Sequence, residues 1–148
     1  MRRSGKPMKR DIQMNKCRVL LVDDEKDFLD TLTKRLRKRK LDVVSVTGGQ
    51  EAVRMVAKEP IDVVVLDVKM PDMGGIETLR EIKKIRPSTE VVMLTGHADM
   101  EIAIEGIELG AFDYLMKPTD IDELLYKIQD AHKKKLWGEE NGKIPNSI

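Results

Sequence analysis

Aromatic residues and cysteine are scarce in this 148-residue sequence, and each scarcity excludes a way of building a fold. Phe, Trp and Tyr together make up only 3% of the chain, so the hydrophobic core must be aliphatic. Cys17 is the sole cysteine, which rules out an intramolecular disulfide and gives no sign of an oxidising compartment. Because Cys17 begins an apolar run, we expect its thiol to be buried and unreactive.

Long apolar runs are also missing. No run approaches the roughly 20 residues that a membrane-spanning helix needs. Arg2 and Arg3 are not followed by the apolar segment that a secretory signal requires. Together these absences predict a cytoplasmic protein that has no membrane partner.

Charged residues are plentiful but unevenly placed. The formal net charge is +1, yet Met1–Arg18 contains seven Lys or Arg and one Asp, which leaves −5 for the rest. A net charge close to zero argues against nucleic acid as a target of the whole chain. The negative charge of the residues after Arg18 is typical of a protein whose site contains several carboxylates. We expect residues 1–16 to be a basic, disordered leader. No aromatic residue interrupts its charges, so we do not expect it to bind nucleic acid.

Between residues 17 and 135, short apolar runs alternate five times with stretches of helical periodicity. The predicted strands are Cys17–Val22, Asp42–Val46, Val63–Asp67, Val91–Leu94 and Asp113–Met116. The predicted helices are Lys26–Arg39, Gly49–Lys58, Ile76–Ile85, Met100–Leu109 and a last helix from an Asp120–Glu123 capping box to about Lys135. This alternation predicts an α/β fold whose five-stranded parallel sheet is covered by helices on both faces. We expect the domain to span residues 17–135, followed by a tail or truncated linker in residues 136–148.

The third predicted strand, Val63–Asp67, is the most informative segment. Four consecutive apolar residues, three of them β-branched, precede the Asp67 carboxylate, and the turn residues of Met70–Gly75 follow it. A short apolar run of this kind predicts a strand that is buried on both faces. Open α/β sheets bind ligands at the carboxyl ends of their strands, so Asp67 is a candidate functional residue. In isolation, a turn-capping role would explain it at least as well.

Polar side chains stand at the ends of four of the five predicted strands. They are Asp23 and Asp24 after the first strand, Asp67 at the end of the third, Thr95 after the fourth and Lys117 after the fifth. The carboxyl ends of parallel strands meet at one edge of the sheet, so we expect these side chains to converge.

Each of these residue types has a chemical reason to be there. Clustered carboxylates repel one another, and a hard divalent cation such as Mg²⁺, which prefers oxygen ligands, relieves the repulsion. A carboxylate beside such a cation can attack phosphorus. Lys117 offers a cation and Thr95 a hydrogen-bond donor for the charge that develops.

These motifs, taken in order, resemble the CheY-like receiver domain of two-component response regulators. The resemblance is carried by Val19-Leu-Leu-Val-Asp23-Asp24-Glu25, Asp67-Val-Lys-Met-Pro71-Asp-Met-Gly-Gly75, Leu94-Thr95-Gly96 and Gly110-Ala-Phe-Asp-Tyr114-Leu-Met-Lys117-Pro118. It covers the chain from about Cys17 to Lys135. It implies a doubly wound, flavodoxin-like sheet with the strand order 2-1-3-4-5.

The resemblance also implies roles for the matching residues. Asp67 would be the phosphoacceptor, and Lys117 would pair with the phosphoryl oxygens. Mg²⁺ or Mn²⁺ would be bound directly by Asp24, by Asp67 and by the backbone carbonyl of Lys69. Asp23 would bind the ion mainly through water.

Further roles concern the switch. Thr95 would be drawn onto the phosphoryl group, Tyr114 would turn inward behind it, and the Lys117-Pro118 peptide bond would be cis. Tyr114 could instead be an ordinary core residue. The two histidines are not expected to bind ligands, since His97 should lie in a surface loop and His132 on a solvated helix face. Lys69 could lengthen the phosphoryl lifetime or leave it unchanged.

The fourth predicted helix offers a hypothesis about output. Met100, Ala103, Ile104 and Ile107 have the spacing of a core stripe, which leaves Ile102 outside it. An apolar residue outside the stripe suggests a contact with a partner or a second copy of the chain.

The implied function is a switch rather than an enzyme acting on a free substrate. A histidine kinase or phosphotransfer protein would phosphorylate Asp67, and the surface of the fourth helix, fifth strand and fifth helix, about Met100–Lys135, would respond. A phosphorylation-dependent homodimer is one expected outcome. The alternative is a receiver fragment of a DNA-binding transcription regulator whose effector domain is missing.

Two other classes of protein with a similar sheet, a phosphatase and a flavin-binding protein, are excluded by residues of this sequence. A phosphatase with an aspartate nucleophile would want a second Asp two residues beyond it, where Lys69 stands. A flavin binder would want a Ser/Thr/Gly phosphate loop after the first strand, where Asp23-Asp24-Glu25 stands.

Overall fold

The computed structural model describes residues 17–71 and 73–141, in which five strands alternate with five helices. The strands are β1 (Arg18–Val22), β2 (Asp42–Val46), β3 (Val63–Asp67), β4 (Glu90–Thr95) and β5 (Asp113–Met116). The helices are α1 (Lys26–Lys38), α2 (Gly49–Lys58), α3 (Gly75–Ile85), α4 (Met100–Glu108) and α5 (Ile121–Asn141), with a 3-10 turn at His97–Asp99. The predicted elements are therefore all present, several with ends that differ by a residue.

The five strands form one parallel sheet in the order β2-β1-β3-β4-β5. This confirms the predicted α/β class and the strand order 2-1-3-4-5. β3 lies at the centre, where it pairs with β1 and β4, and all five of its residues are buried. Its β-branched side chains suit a strand that is covered on both faces. The central position of β3 places Asp67 in the middle of the carboxyl edge.

Alternate strand residues point into two aliphatic cores. Val63 and Val65 of β3 face the core under α1 and α5, while Val64 and Leu66 face the core under α2 and α3. The helices contribute leucine, isoleucine, valine and alanine at helical spacing, namely Leu29, Leu32 and Leu36 of α1, Leu124, Ile128 and Ala131 of α5, Ala52 and Val56 of α2, and Leu79 and Ile82 of α3. Burial of a leucine, isoleucine or valine side chain stabilises the fold by about 1.5–3 kcal/mol.

The inward face of α4 differs from the prediction. Ala103 and Gly106 are its buried residues and Ile102 packs against the core, whereas Ile104 is 51% exposed and Ile107 37% exposed. The predicted core stripe through Ile104 and Ile107 is therefore wrong. The helix can lie close to the sheet because Gly106 has no side chain, and a Cβ there would overlap the sulfur of Met93.

The last helix also differs from the prediction. α5 continues past Lys135 to Asn141, so the first residues of the expected tail are helical. Its start is as expected, because Asp120 Oδ1 accepts a hydrogen bond from the Asp122 N–H at 3.4 Å, as a capping residue does. The predictions for residues 1–16 and for residues 142–148 fall outside the described part of the chain.

The prediction that His132 lies on a solvated helix face is wrong. Its side chain is only 3% exposed, because it extends the inward-facing row of Leu124 and Ile128 by one further helical turn. His97 is exposed, as predicted. Cys17 is buried, also as predicted, and its burial, with a contribution from the Asp62 charge, raises the pKa of the thiol to about 12. Within residues 17–71 and 73–141, no helix is both long and apolar enough to cross a membrane.

Candidate functional site

The polar residues predicted to converge do meet at the carboxyl edge of the sheet. An open cleft of about 600 Å³ lies there, lined by Asp24, Glu25, Asp67, Lys69, Met70, Pro71, Gly96, Asp99 and Lys117. Asp23 and Thr95 are buried at the same edge, at the ends of β1 and β4. The segments that follow four of the five strands, β1, β3, β4 and β5, thus contribute to one site.

Three carboxylates form the acidic part of the site. One oxygen from each of Asp23, Asp24 and Asp67 lies within 4.8 Å of the other two. Asp23 and Asp67 are buried, Asp67 at 6% exposure, while Asp24 faces solvent. Such crowding of like charges is costly unless a cation is present.

The electrostatics of Asp67 show that cost. Burial, with a contribution from Asp23, raises the pKa of Asp67 to about 6, although Lys117 and the Lys69 N–H oppose the rise. The Lys69 N–H lies 3.4 Å from Asp67 Oδ1. A hard divalent cation would relieve this destabilised carboxylate, and an all-oxygen donor set is what Mg²⁺ prefers. The residues present therefore fit Mg²⁺.

Lys117 is the cation that the structure places among the carboxylates. Its Nζ lies 2.8 Å from Asp23 Oδ2, 3.4 Å from Glu25 Oε1 and 3.7 Å from Asp67 Oδ1. Burial disfavours the charged form, but the hydrogen bond to Asp23 and the charge of Asp67 outweigh it and raise the pKa of Lys117. The Phe28 ring lies 4.4 Å from the ammonium and adds a cation–π contact.

Glu25 and Phe28 are site residues that the sequence did not identify as partners of Lys117. Glu25 directly follows the acidic pair and Phe28 lies one helical turn further on, so both positions are in reach of the edge. Phe28 has the spacing of a core residue of α1, and that pattern concealed its second contact.

Thr95 and Tyr114 occupy the neighbouring strands β4 and β5. The Thr95 side chain is fully buried, and its hydroxyl donates a hydrogen bond to the Gly96 carbonyl at 3.0 Å. The Lys117 N–H donates to the Thr95 carbonyl at 2.8 Å, which ties the two strand ends together. Tyr114 is half-buried and packs against the core under α2 and α3, while its turn inward on activation stays a prediction. The Lys117-Pro118 bond is cis, as the resemblance implied.

The turn after Asp67 is held close to the sheet by Gly75. The Gly75 N–H donates to the Val68 carbonyl at 3.1 Å, and the Val68 N–H donates to the Leu94 carbonyl at 3.0 Å. A Cβ on Gly75 would lie 2.6 Å from Val68 Cα, so only glycine fits without a shift of the backbone. This close approach fixes the loop that carries Lys69.

Comparison with known proteins assigns this arrangement to a family. The family model described as "Response regulator receiver domain" matches residues 19–129. The chain is 32% identical over 135 residues to the response regulator protein PilR of Pseudomonas aeruginosa, an alignment that covers 91% of this chain and 30% of PilR. It is 36% identical over 114 residues to the regulatory protein AtoC of Escherichia coli, which covers 77% of this chain and 25% of AtoC. The chain thus spans between a quarter and a third of the length of these relatives.

Solved structures that resemble this chain also come from response regulators. A response regulator receiver domain protein from Clostridium thermocellum has a TM-score of 0.79 and 36% identity, and the match covers 82% of this chain and 98% of that one. NtrX from Brucella abortus, solved in complex with ADP, has a TM-score of 0.81 and 28% identity, over 86% of this chain and 29% of that one. The chain therefore belongs to the family of response regulator receiver domains.

Proposed function

We propose that Asp67 accepts a phosphoryl group from a histidine kinase or a phosphotransfer protein and that the acylphosphate changes the surface formed by α4, β5 and α5. Phosphorylation and Mg²⁺ binding are characteristic of receiver domains. One observation carries the proposal for this chain. Asp67 is a buried, destabilised carboxylate that opens onto a cleft beside two further carboxylates and within 3.7 Å of the Lys117 ammonium. No other described carboxylate combines these features.

The chain's own residues divide the chemistry among them. An Asp67 oxygen forms a bond to phosphorus while the bond from phosphorus to the donor's imidazole nitrogen breaks. Lys117 balances the charge on the phosphoryl oxygens, and it needs only a small movement because it already lies beside Asp67. Gly96 borders the cleft without a side chain, so the transferring group can approach the backbone there. The chain acts in its own modification and needs no free substrate.

Asp24, Asp67 and the Lys69 backbone carbonyl would hold Mg²⁺ directly, and Asp23 would act through water. Asp24 faces solvent and lines the cleft, which suits a residue that captures the ion. When bound, Mg²⁺ neutralises the carboxylates and stabilises the charge on the transferring phosphoryl group. Mn²⁺ accepts the same oxygen ligands.

Thr95 and Tyr114 would convert the modification into a change of surface. The Thr95 hydroxyl now donates to its neighbour's carbonyl and would turn to a phosphoryl oxygen, which is a stronger, charged acceptor. Tyr114 would move with it, because the two residues lie on adjacent paired strands. A nearly complete shift between two states requires about 5.5 kcal/mol of differential interaction. The Thr95 contact alone is worth less, so Lys117 and the metal must contribute.

The responding surface would bind a second copy of the chain or an effector. Ile104 and Ile107 give α4 an exposed apolar face, which supports an association role. A second candidate is a DNA-binding transcription regulator of which this chain is the receiver part. The short coverage of the regulators named above supports it, and so does a 36% identity to the transcriptional regulatory protein ZraR of Escherichia coli. In that case the effector, and not this domain, would contact nucleic acid.

Chemical phosphorylation tests the proposal. Incubation with acetyl phosphate and Mg²⁺ should add one phosphoryl group to the peptide that contains Asp67, and a chelator should prevent the addition. Peptide mapping after reductive trapping of the acylphosphate would locate the group. Modification of another aspartate, such as Asp99 in the same cleft, would refute the assignment of Asp67.

A further inference from the structure

The opposite, amino-terminal edge of the sheet holds a second group of side chains that can ligate a metal. Cys17 directly precedes β1, Asp62 directly precedes β3, and His132 lies in α5. The thiol sulfur, one carboxylate oxygen and one imidazole nitrogen all lie within 4.8 Å of one another. The fold alone brings these three distant segments together, since the sequence contains no metal-binding spacing for them.

His132 is the member of this group that most needs a partner. Its side chain is 97% buried, and its Nδ1 has no hydrogen-bond partner among the described residues. Its Nε2 lies 3.9 Å from Asp62 Oδ2, which is beyond hydrogen-bond distance. An unsatisfied buried nitrogen costs free energy, and a metal ion bound at Nδ1 would recover that cost.

The backbone already holds the carboxylate in place beside Cys17. The Arg18 N–H donates to Asp62 Oδ2 at 2.8 Å, and the Asp62 N–H donates to the Arg18 carbonyl at 2.9 Å. Such outer hydrogen bonds orient the carboxylate ligands of metal sites. Cys17 is 1% exposed, and its carbonyl accepts a hydrogen bond from the Asp42 N–H at 3.3 Å. Two of the three groups are therefore preorganised on the sheet, and the third lies on a helix that packs against it.

We propose that Cys17, Asp62 and His132 bind Zn²⁺ or a divalent transition metal of similar ligand preference. A set of one sulfur, one nitrogen and one oxygen suits a borderline-soft ion and does not suit Mg²⁺. Bond lengths of about 2.0–2.3 Å place tetrahedral ligand atoms about 3.3–3.6 Å apart, so the three atoms, which lie within 4.8 Å of one another, must close in by at most about 1.5 Å. Binding releases the thiol proton of Cys17 to solvent, water completes the four ligands, and no oxidation is involved.

Lys135 competes with a metal at this site. Its ammonium lies 3.1 Å from Asp62 Oδ1, and it also pairs with Glu139 at 2.6 Å. A metal ion on Asp62 would repel this charge, so Lys135 must turn fully towards Glu139. Removing the Lys135 charge should therefore tighten metal binding. This effect is not expected if the metal binds instead at an exposed histidine or at a carboxylate elsewhere on the surface.

Titration of the full chain with Co²⁺ tests the proposal. The reduced, chelator-treated protein should first be saturated with Mg²⁺, so that the carboxylates at the other edge are filled. We expect one Co²⁺ per chain, with an intense thiolate-to-cobalt charge-transfer band in the near ultraviolet, visible bands typical of tetrahedral cobalt, and displacement by Zn²⁺. About one proton per metal should be released near neutral pH. The Lys135→Gln variant should bind several-fold more tightly.

Matched variants separate this site from other ligands. Cys17→Ser should lose the charge-transfer band and weaken binding at least about tenfold. His97→Gln, which alters an exposed histidine at the far edge, should leave the titration unchanged, and so should Asp67→Asn. Absence of the band in the wild-type chain, or its persistence in Cys17→Ser, overturns the proposal. If Cys17→Ser does not fold, Lys135→Gln still decides, because unchanged affinity in that variant contradicts a site that includes Asp62.

Discussion

The ammonium of Lys117 lies nearly 1 Å closer to Asp23 than to Asp67, at 2.8 Å against 3.7 Å. The cation that would serve the proposed phosphoryl transfer is therefore held by the carboxylate beside the proposed acceptor. Asp23 is buried and Lys117 is largely so, which makes this pair more than a surface ion pair. Lys117 thus contributes to the stability of the metal-free chain as well as to its proposed chemistry.

The first prediction follows from that pairing. Lys117→Met should lower the free energy of unfolding by about 2 kcal/mol without metal, because Asp23 and Asp67 lose their cation. Saturating Mg²⁺ should recover part of the loss. Urea unfolding in the presence of chelator measures the loss, and urea unfolding in the presence of Mg²⁺ measures the recovery. Lys127→Met is the control, since its partner Asp113 is more exposed, and it should cost less than about 1 kcal/mol. Equal losses in the two variants would contradict the account.

The second prediction concerns pH. The pKa of Asp67 is about 6 in the folded chain against 3.8 unfolded, so the folded state binds the extra proton between those values. Above pH 6 the ionised carboxylate destabilises the fold, and Asp67→Asn should be more stable than wild type by about 1–2 kcal/mol in chelator. The difference should shrink as the pH falls from 6 to 4. Urea unfolding at several pH values measures it.

Asp24→Asn is the matched control for this pH series. Asp24 belongs to the same carboxylate group but faces solvent, so its substitution should stabilise the metal-free chain much less. A difference for Asp67→Asn that does not change between pH 4 and pH 8 would contradict the raised pKa.

Two adjacent glycines give the third prediction. A Cβ on Gly75 would lie 2.6 Å from the Val68 backbone, whereas a Cβ on Gly74 would have no neighbour within 4 Å. Gly75→Ala should therefore destabilise the chain by about 1–3 kcal/mol, and Gly74→Ala should change stability by less than about 0.5 kcal/mol. Thermal unfolding of both variants provides the comparison. Similar results for the pair would mean that the loop after Asp67 is not held as described.

The fourth prediction concerns the proposed switch. Thr95→Ala should still accept the phosphoryl group on Asp67, but α4 and β5 should no longer respond, because the hydroxyl that binds the phosphoryl oxygen is gone. Thr95→Ser keeps the hydroxyl and should keep the response. Amide hydrogen exchange across α4, β5 and α5, with and without beryllofluoride as a phosphoryl mimic, reports the change. A full response in Thr95→Ala would remove Thr95 from the mechanism.

The fifth prediction replaces the hypothesis based on Ile102. Ile104 is exposed, so Ile104→Ala should leave stability almost unchanged yet weaken any association that phosphorylation induces. Ile102 packs against the core, so Ile102→Ala should lower stability by about 1 kcal/mol. Sizing of the phosphorylated variants, together with urea unfolding, distinguishes them. Association that survives in Ile104→Ala would exclude this residue from the interface.

Much of the fold was predictable because β-branched runs and short connections leave few alternatives. The bounds of β2, β3, β5 and α2 were predicted to the residue, since charged, Gly or Pro residues stand at or within two residues of their ends. The site at the carboxyl edge followed from topology alone. Parallel strands bring Asp67 and the residues after the other strands together whatever the details of packing.

Both errors concern which helix residues face the core. α4 is apolar on more than one side, and the pattern favoured its large residues, Ile104 and Ile107. The inward face is instead formed by Ala103 and Gly106, because small residues let the helix approach Met93. His132 was missed because its polarity outweighed its position, four residues after Ile128, in the inward row of α5.

Intact-mass measurement of the wild-type chain and Asp67→Asn, each incubated with acetyl phosphate and Mg²⁺, tests the central claim most directly. The account predicts that wild type gains the mass of one phosphoryl group and that Asp67→Asn gains none. Far-ultraviolet circular dichroism should show that the variant is folded. No gain in wild type, or an equal gain in the variant, would contradict Asp67 as the phosphoacceptor.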